Sequence, residues 1–375
     1  MNLSDPRSGF DPGSRFNDAS TGSIWAFEWP NPPPFPSQQR TNSPPPSGDT
    51  DQLTPTLAAL QDMEGDVSEV GKGRNRICGL VAATFTPMTH DNEINLPVIG
   101  QYIDYLVMVQ GVRSIFVNGT TGEGMSLNTE ERKLIAEEWI NQGKGKLDHV
   151  IIHVGCLSIK ESQQLAEHAA KCKASGIAVI SPFFFKPQST DALVEYLKEV
   201  ASAAPDIPFY YYHLPEITGV SLNVVELLDG IEKKIPTFQG LKFTSSDLLD
   251  FGQCINKYKD KFDLLYGKDE LLLPALTLGA TGAVGSTYNY IGNLYKRMLT
   301  DVERRDYNLA KEQQVFVQEL IGFMNRLGFG VPENKTIMML ISGIPLGPPR
   351  LPLVKCSEEK KEKILDKLKV LGLLN

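Results

Sequence analysis

A chain of 375 residues has room for one large domain or two ordinary ones, and 41% of its residues are hydrophobic. Its formal net charge of -8 argues against a nucleic-acid-binding protein, because such surfaces cluster Lys and Arg. No apolar stretch approaches the roughly 18–20 residues that span a bilayer, and the N-terminus lacks the basic and apolar regions of a secretory signal.

The cysteines and histidines give little sign of a metal site. The five cysteines are odd in number and lack the spacing of metal-binding motifs, and the five histidines are equally dispersed. In a chain of this length, such cysteines are typical of reduced thiols in a cytoplasmic protein. We therefore expect a cytoplasmic location, no metal and no cofactor.

Residues 1–75 differ in composition from the rest of the chain. They hold 11 of the 25 prolines, and their 10 acidic against 5 basic residues supply most of the net negative charge. Such a segment buries too little apolar surface to offset the entropy lost on folding, so we expect a disordered tail. Alternatively, its proline runs at 32–34 and 44–46 could dock a partner of the SH3 type.

From Cys78 onward, short β-rich runs alternate with amphipathic helical patterns. Two of the helices open with capping arrangements, Asn128-x-x-Glu131 and Ser158-x-x-Glu161. The predicted strands are 79–85, 114–117, 150–154, 177–180, 209–212, 239–243, 264–266 and 282–285. Eight strands alternating with helices predict an α/β fold, a closed (β/α)8 barrel of the TIM type over residues 76–300. An open doubly wound sheet is the alternative, but the Gly-rich phosphate turn that usually follows its first strand is missing here.

Beyond about residue 300 the pattern is helical, with helices predicted over 307–327, 335–342 and 357–373. We interpret residues 301–375 as a helical extension that packs against the barrel or against a neighbouring subunit.

Barrel enzymes carry their chemistry at the carboxyl ends of the strands, and the sixth predicted strand places a lysine there. Strand alternation directs Leu241 and Phe243 towards the helices and Lys242 towards the barrel axis. Burial lowers the pKa of an amine, and a neutral amine is the form that attacks a ketone to give a Schiff base. The alternative is a structural lysine paired with a carboxylate inside the barrel.

Two other strand ends carry candidate residues. Tyr212 and His213 end the fifth strand on opposite faces, so one of them enters the barrel mouth, where a phenol beside a lysine could transfer protons. Thr120 and Thr121 lie in a glycine-bracketed turn after the second strand. Such a turn presents hydroxyls and backbone N–H groups that suit a carboxylate.

Acidic residues follow the seventh strand. Asp269 and Glu270 at the mouth would accept hydrogen bonds from a polyol, or alternatively they would cap a helix. Acidic residues at the mouth do not favour a phosphorylated sugar as the ligand.

Taken together, three motifs resemble the N-acetylneuraminate lyase/dihydrodipicolinate synthase family of class I aldolases. They are Gly119-Thr120-Thr121-Gly122-Glu123, Tyr212-His213-Leu214-Pro215 and Gly240-Leu241-Lys242, and the resemblance spans about residues 79–355. Within the family the chain is most similar to the vertebrate lyases. The resemblance implies reversible cleavage of sialic acid to N-acetylmannosamine and pyruvate.

The resemblance also implies roles for individual residues. Lys242 would form the Schiff base, Tyr212 would transfer protons, and Thr120 and Thr121 would hold the carboxylate of pyruvate. The sugar's hydroxyl-bearing tail would contact Thr244, Gly267, Asp269, Glu270 and Ser286.

Two positions inform the sub-family and the mechanism. Ile217 stands where the synthases have an arginine for their dicarboxylic substrate, which favours the lyase. Many relatives carry a tyrosine after the fourth strand that joins a proton relay across a subunit contact, whereas this chain has Phe183, Phe184 and Phe185. The resemblance implies a homotetramer with small-molecule substrates, and charge and hydropathy predict no nucleic-acid or membrane partner.

Two other functions remain open at this stage. One is a different pyruvate-dependent aldolase of the same family, which would keep Lys242 and Tyr212 but take another aldehyde. The other is a catalytically silent barrel that serves as a scaffold through its proline-rich tail.

Overall fold

The computed structural model describes residues 76–374, so the tail expected over residues 1–75 lies outside the described residues. Eight parallel strands pair in sequence order and close into a barrel, with β8 returning to β1. The strands are β1 (Gly79–Ala83), β2 (Ser114–Val117), β3 (His149–His153), β4 (Gly176–Ile180), β5 (Phe209–His213), β6 (Phe238–Phe243), β7 (Asp263–Tyr266) and β8 (Gly282–Gly285). The predicted (β/α)8 fold is confirmed.

Helices surround the barrel and continue after its last strand. They are α1 (Val98–Tyr105), α2 (Thr129–Gly143), α3 (Ile159–Lys171), α4 (Thr190–Ala201), α5 (Pro215–Thr218), α6 (Val224–Leu228), α7 (Ile231–Lys234), α8 (Leu248–Tyr258), α9 (Leu272–Leu278), α10 (Tyr288–Glu303), α11 (Tyr307–Arg326), α12 (Val331–Ser342) and α13 (Glu358–Val370). A π-helical turn, Leu106–Gln110, extends α1, and short 3-10 turns lie at Gly124–Ser126 and Asp269–Leu271. None of the helices within residues 76–374 has the length and apolar character to cross a bilayer.

The strands separate two apolar clusters. Leu241 and Phe243 belong to the larger cluster between the strands and the helices, whereas Tyr210 and Tyr212 belong to the smaller cluster inside the barrel. This alternation along β5 and β6 is the one that the period of two predicts. It decides which side chains of β6 can reach the mouth of the barrel.

The two predicted capping arrangements open helices. At α2, Asn128 Oδ1 accepts from the backbone N–H of Glu131, and the Glu131 carboxylate accepts from the backbone N–H of Asn128. At α3, Ser158 Oγ accepts from the backbone N–H of Glu161. These bonds pair backbone N–H groups that the first turn of a helix leaves without a partner. Because the two residues of each pair are three positions apart, the arrangement can be recognised from the sequence.

The C-terminal helices pack onto the barrel helices, since Ile337, Met338, Ile364 and Leu368 join the larger apolar cluster. Helix α12 begins at Val331, four residues before the predicted start at Lys335. Pro332 in the first turn and the bond from the backbone N–H of Gly330 to the Glu333 carboxylate explain the earlier start.

Candidate active site

A cavity of about 320 Å³ opens at the carboxyl ends of the barrel strands. Its lining includes all nine residues proposed from sequence: Thr120, Thr121, Tyr212, Lys242, Thr244, Gly267, Asp269, Glu270 and Ser286. The barrel topology thus brings together side chains that lie up to 166 positions apart in sequence.

Lys242 lies on the inward face of β6 and its side chain is only 5% exposed. Its Nζ sits 3.9 Å from the centroid of the Tyr212 ring and 4.3 Å from that of Phe116. Within residues 76–374 it forms no ion pair and no hydrogen bond, so the alternative of a lysine paired with a barrel carboxylate is wrong for the described chain. The amine is therefore available to a ligand in the cavity.

Tyr212 is the residue of the fifth strand that enters the barrel mouth. Its hydroxyl lies 3.3 Å from Thr120 Oγ1, and β5 and β6 pair with Tyr212 opposite Lys242. His213 faces the other way, where its ring packs on Phe243 and burial lowers its pKa to about 4. Of these two residues, Tyr212 and not His213 therefore lies beside the amine.

The turn after β2 is held in a tight conformation. The backbone N–H groups of Glu123 and Gly124 donate to the carbonyls of Thr120 and Gly119. A side chain at Gly122 would place its Cβ 3.0 Å from the carbonyl oxygen of Thr84, and one at Gly124 would collide with Asn118. The backbone N–H groups of Thr120 and Thr121 have no acceptor within residues 76–374, so they can donate to an anion.

Asp269 is buried beside β8. Its Oδ2 accepts from the backbone N–H and the hydroxyl of Thr287, at 2.9 and 2.6 Å, while its Oδ1 has no partner among the described residues. Burial raises the pKa of Asp269 to about 6, against the lowering effect of the Thr287 bonds. The side chain caps neither the turn Asp269–Leu271 nor α9, so the capping alternative is wrong for Asp269.

The other polar residues lie around Asp269. Glu270 is partly exposed and its carboxylate forms no hydrogen bond or ion pair within residues 76–374, so it does not cap a helix either. Thr244 Oγ1 is buried without a partner, next to Gly267, where any side chain would collide with it. Ser286 Oγ accepts a hydrogen bond of 2.9 Å from Asn334 Nδ2. This side of the cavity therefore has several acceptors and hydroxyls that can still form hydrogen bonds to a ligand.

Some lining residues were not anticipated from sequence. Lys268 forms an ion pair of 2.7 Å with Glu216 at the rim, and Ile321 and Phe329 from the C-terminal extension also line the cavity. Local patterns give no signal for Ile321 or Phe329, because only the packing of the C-terminal extension on the barrel brings them to the mouth.

His153 is a second residue that the sequence did not single out. Its ring lies inside the barrel with its centroid 6.0 Å from that of Tyr212. Its Nδ1 lies 3.1 Å from the Asn118 carbonyl oxygen and 3.5 Å from Nη2 of Arg132. Burial, then Arg132 and Lys242, lower the pKa of His153 well below its usual value. A neutral imidazole therefore supports the inner side of the Tyr212 ring.

One group of potential metal ligands lies outside the cavity. Glu137 on α2 and His168 on α3 form a hydrogen bond of 2.7 Å, with Cys172 close by. The sulfur lies 3.6 and 4.0 Å from the two ring nitrogens of His168. Together the three side chains connect α2 with the end of α3.

Comparisons with known proteins agree with this geometry. Over 303 residues the chain is 60% identical to N-acetylneuraminate lyase of Mus musculus, covering 80% of this chain and 95% of that protein, and 59% identical to the Homo sapiens lyase with the same coverage. A solved structure of N-acetylneuraminate lyase (sialic acid aldolase) from Aliivibrio salmonicida superposes with a TM-score of 0.76 at 38% identity, covering 80% of this chain and 99% of that one. Residues 76–371 match the sequence profile of the dihydrodipicolinate synthetase family, and the chain belongs to that family.

Proposed function

We propose that the chain is a Schiff-base aldolase that reversibly cleaves N-acetylneuraminate to N-acetylmannosamine and pyruvate. The observation that carries the proposal is the amine of Lys242, which has no ion pair or hydrogen bond within residues 76–374. It lies 3.9 Å from the centroid of the Tyr212 ring, in a cavity lined by hydroxyls and carboxylates. The similarity to lyases at about 60% identity supports the same substrate.

The reaction begins when the amine of Lys242 attacks the ketone carbon of the open-chain sugar acid. Loss of water gives a protonated imine, which withdraws electrons from the neighbouring carbons. Removal of the proton from the hydroxyl beyond the breaking bond releases the aldehyde and leaves an enamine on Lys242. Protonation of the enamine carbon and hydrolysis of the imine then release pyruvate and restore the amine.

Tyr212 is the group placed to transfer both protons. Its ring centroid lies 3.9 Å from the amine that would carry the imine, and its hydroxyl contacts Thr120 Oγ1. Because Phe183, Phe184 and Phe185 carry no hydroxyl, the proton path would run through Thr120, water or the substrate's own carboxylate. A positioned acid or base of this kind contributes roughly 10²–10⁴-fold to a rate.

The two ends of the substrate would contact different sides of the cavity. The carboxylate next to the ketone would accept from the free backbone N–H groups and hydroxyls of Thr120 and Thr121. The polyol would donate to Asp269 and Glu270 and contact Thr244, Gly267 and Ser286. Asp269 Oδ1 is a buried acceptor that meets no hydrogen-bond criterion with any group in residues 76–374, and such an atom is costly unless a ligand satisfies it.

We also propose a homotetramer in the cytoplasm. Phe184 and Phe185 are 71% and 87% exposed on the loop after β4, and two neighbouring aromatic side chains at that exposure favour a subunit contact. All five cysteines are free, which suits a reducing compartment. Sedimentation or light scattering of the full chain, compared with a variant carrying Phe184→Ser and Phe185→Ser, tests the assembly.

Borohydride trapping combined with a product assay tests the function. With pyruvate and borohydride, we expect irreversible labelling of Lys242, and with sialic acid, release of N-acetylmannosamine and pyruvate. Labelling that persists unchanged in Lys242→Ala would contradict the assigned nucleophile. Labelling without cleavage of sialic acid would favour another pyruvate-dependent aldolase, and the absence of both would favour a silent barrel.

A further inference from the structure

Two consecutive residues of α12 contact opposite walls of the cavity without lining it. Asn334 Nδ2 donates to Ser286 Oγ, at 2.9 Å, at the end of β8. Lys335 Nζ donates to Glu123 Oε1, at 3.0 Å, in the turn after β2. Both residues are buried, so a single turn of the C-terminal extension connects the two sides of the site.

The contact between Lys335 and Glu123 is fully enclosed, since their side chains are 1% and 0% exposed. Glu123 Oε2 accepts from the backbone N–H of Arg350 at 2.7 Å, and Lys335 Nζ also donates to the carbonyl of Pro348 at 3.0 Å. Each charge is thus hydrogen-bonded as well as paired. A buried pair of this kind is weak evidence for stability, but it fixes the relative position of the segments that it joins.

Glu123 holds the turn that carries the two threonines. Its backbone has a φ of 56°, in the left-handed region that only glycine adopts without cost. Its N–H donates to the carbonyl of Thr120. A shift of the Glu123 side chain would therefore move the backbone N–H groups of Thr120 and Thr121, because the same short turn carries all three residues.

Asn334 sets the direction of the Ser286 hydroxyl. Its Oδ1 lies 2.7 Å from the hydroxyl of the buried Tyr290, which has no other acceptor within residues 76–374 and so donates to it. The amide orientation follows, and Nδ2 donates to Ser286 Oγ. Since Oγ accepts from Asn334, the hydrogen of the Ser286 hydroxyl is left to point towards a ligand in the cavity.

We propose that Lys335 and Asn334 are positioning residues for the two halves of the substrate. Lys335 acts through Glu123 on the threonines that hold the carboxylate of pyruvate, and Asn334 acts through Ser286 on the polyol end. The assignment rests on the proposed function, and it makes the C-terminal extension a working part of the active site. A variant at either position should therefore impair binding at one end of the substrate more than at the other.

The test compares two variants in both reaction directions, with the full chain and with wild type alongside. Lys335→Met should raise the KM for pyruvate in synthesis by roughly tenfold or more, because small displacements of a positioned group are costly, while kcat changes little. Asn334→Leu should raise the KM for sialic acid and for N-acetylmannosamine but not the KM for pyruvate. At saturating pyruvate, borohydride should label Lys242 fully in both variants.

Two further variants separate positioning from folding. Glu333 neighbours Asn334 on α12 and forms an ion pair of 2.7 Å with Lys360 on α13, so Lys360→Met is a matched control that should change neither KM. The variant that combines Glu123→Gln with Lys335→Met removes both charges of the buried pair, so no unpaired charge is left. The Gln side-chain oxygen can still accept from the backbone N–H of Arg350. The double variant should fold as wild type and recover part of the loss in pyruvate KM.

The outcomes are distinct. Equal effects of Lys335→Met and Asn334→Leu on both ends of the substrate, or unchanged constants in both, would overturn the positioning proposal. If Lys335→Met does not fold, the variant that combines Glu123→Gln with Lys335→Met takes its place in the test. A KM for pyruvate equal to that of wild type in this double variant would also overturn the role of Lys335. A wild-type chain that neither traps pyruvate nor cleaves sialic acid would instead defeat the proposed function itself.

Discussion

Lys242 and Tyr212 lie opposite each other on the paired strands β6 and β5, with the amine 3.9 Å from the centroid of the phenol ring. The same ring packs edge-to-face against Phe116 on one side and His153 on another. The phenol is thus held by aromatic contacts while its hydroxyl remains at the cavity next to Thr120. Fixing the ring in this way keeps the proton donor near the atom where the imine forms.

Tyr212→Phe tests the proton path. The change keeps the ring and its packing, so the barrel should remain folded, but it removes the hydroxyl that contacts Thr120. We expect cleavage of sialic acid to fall by roughly 10²–10⁴-fold, the usual contribution of a positioned acid or base, while borohydride still traps pyruvate on Lys242 more slowly. A variant within a few-fold of wild type in steady-state cleavage would show that the proton travels by another route.

Because of Asp269, kcat/KM for cleavage of sialic acid should decrease on the acid side of its pH profile. Its carboxyl has a pKa raised to about 6 by burial, so it is an ionised acceptor above that pH and a protonated acid below it. We expect kcat/KM for sialic acid to fall as the pH drops through about 6, and Asp269→Asn to lose this decrease. The control is borohydride trapping of pyruvate, which should show no such decrease attributable to Asp269.

Protonation of the Asp269 carboxyl should lower activity but raise the stability of the fold. Its pKa is higher in the folded chain than its ordinary value of 3.8, so the folded state binds the proton more tightly. The charged form destabilises the fold at neutral pH, and this cost is relieved as the pH falls from about 6 towards 4. Relative to Asp269→Asn, the Tm of wild type should therefore rise over that window. A difference in Tm that stays constant with pH would contradict the raised pKa.

Glu270→Ala should separate sugar binding from pyruvate capture. Its carboxylate lies at the cavity with no partner within residues 76–374, so it is free to accept from the polyol. A hydrogen bond to a charged acceptor contributes about 1.5–3 kcal/mol, and we expect a loss of kcat/KM for sialic acid in that range. The rate of pyruvate trapping should stay near wild type. Equal losses in both assays would make Glu270 a residue of the fold.

Removal of residues 1–71, most of the tail predicted over residues 1–75, should leave fold and activity intact. The match to the family begins at residue 76, and Arg76 itself is needed, because its Nε lies 3.0 Å from Oδ1 of the buried Asp263. A chain starting at Lys72 should unfold cooperatively at the wild-type Tm and retain its turnover of sialic acid. Loss of cooperativity would show that the tail contributes to the structure.

Arg76→Met in the same shortened chain is the matched comparison. Asp263 also accepts from Tyr210 and Gln239, but it would lose its only ion-pair partner among the described residues. We expect a loss of about 1.5–3 kcal/mol in the free energy of unfolding, measured by denaturant titration. An unchanged midpoint would indicate that the remaining hydrogen bonds suffice for the carboxylate.

Local regularities account for what could be predicted of the fold. The eight strands lie within about two residues of their predicted bounds, because a period of two and a helical period are properties of neighbouring residues. The inward direction of Lys242 follows from the same alternation. Placing the nine candidate residues at one mouth needed one further rule, that parallel strands of a barrel end on the same face.

The tertiary structure decided what no local pattern specifies. It showed that Asp269 binds Thr287 at the start of α10 instead of capping the turn or the helix that follows it. It also showed that Lys242 has no carboxylate partner within residues 76–374. It also brought Ile321 and Phe329 into the cavity and joined Lys335 to Glu123 across 212 positions of sequence. The sequence by itself determined which residues could do the chemistry, because reactive groups and strand faces are local. Their partners depend on which helices pack against the barrel, and packing of distant segments is set only when the whole core is formed.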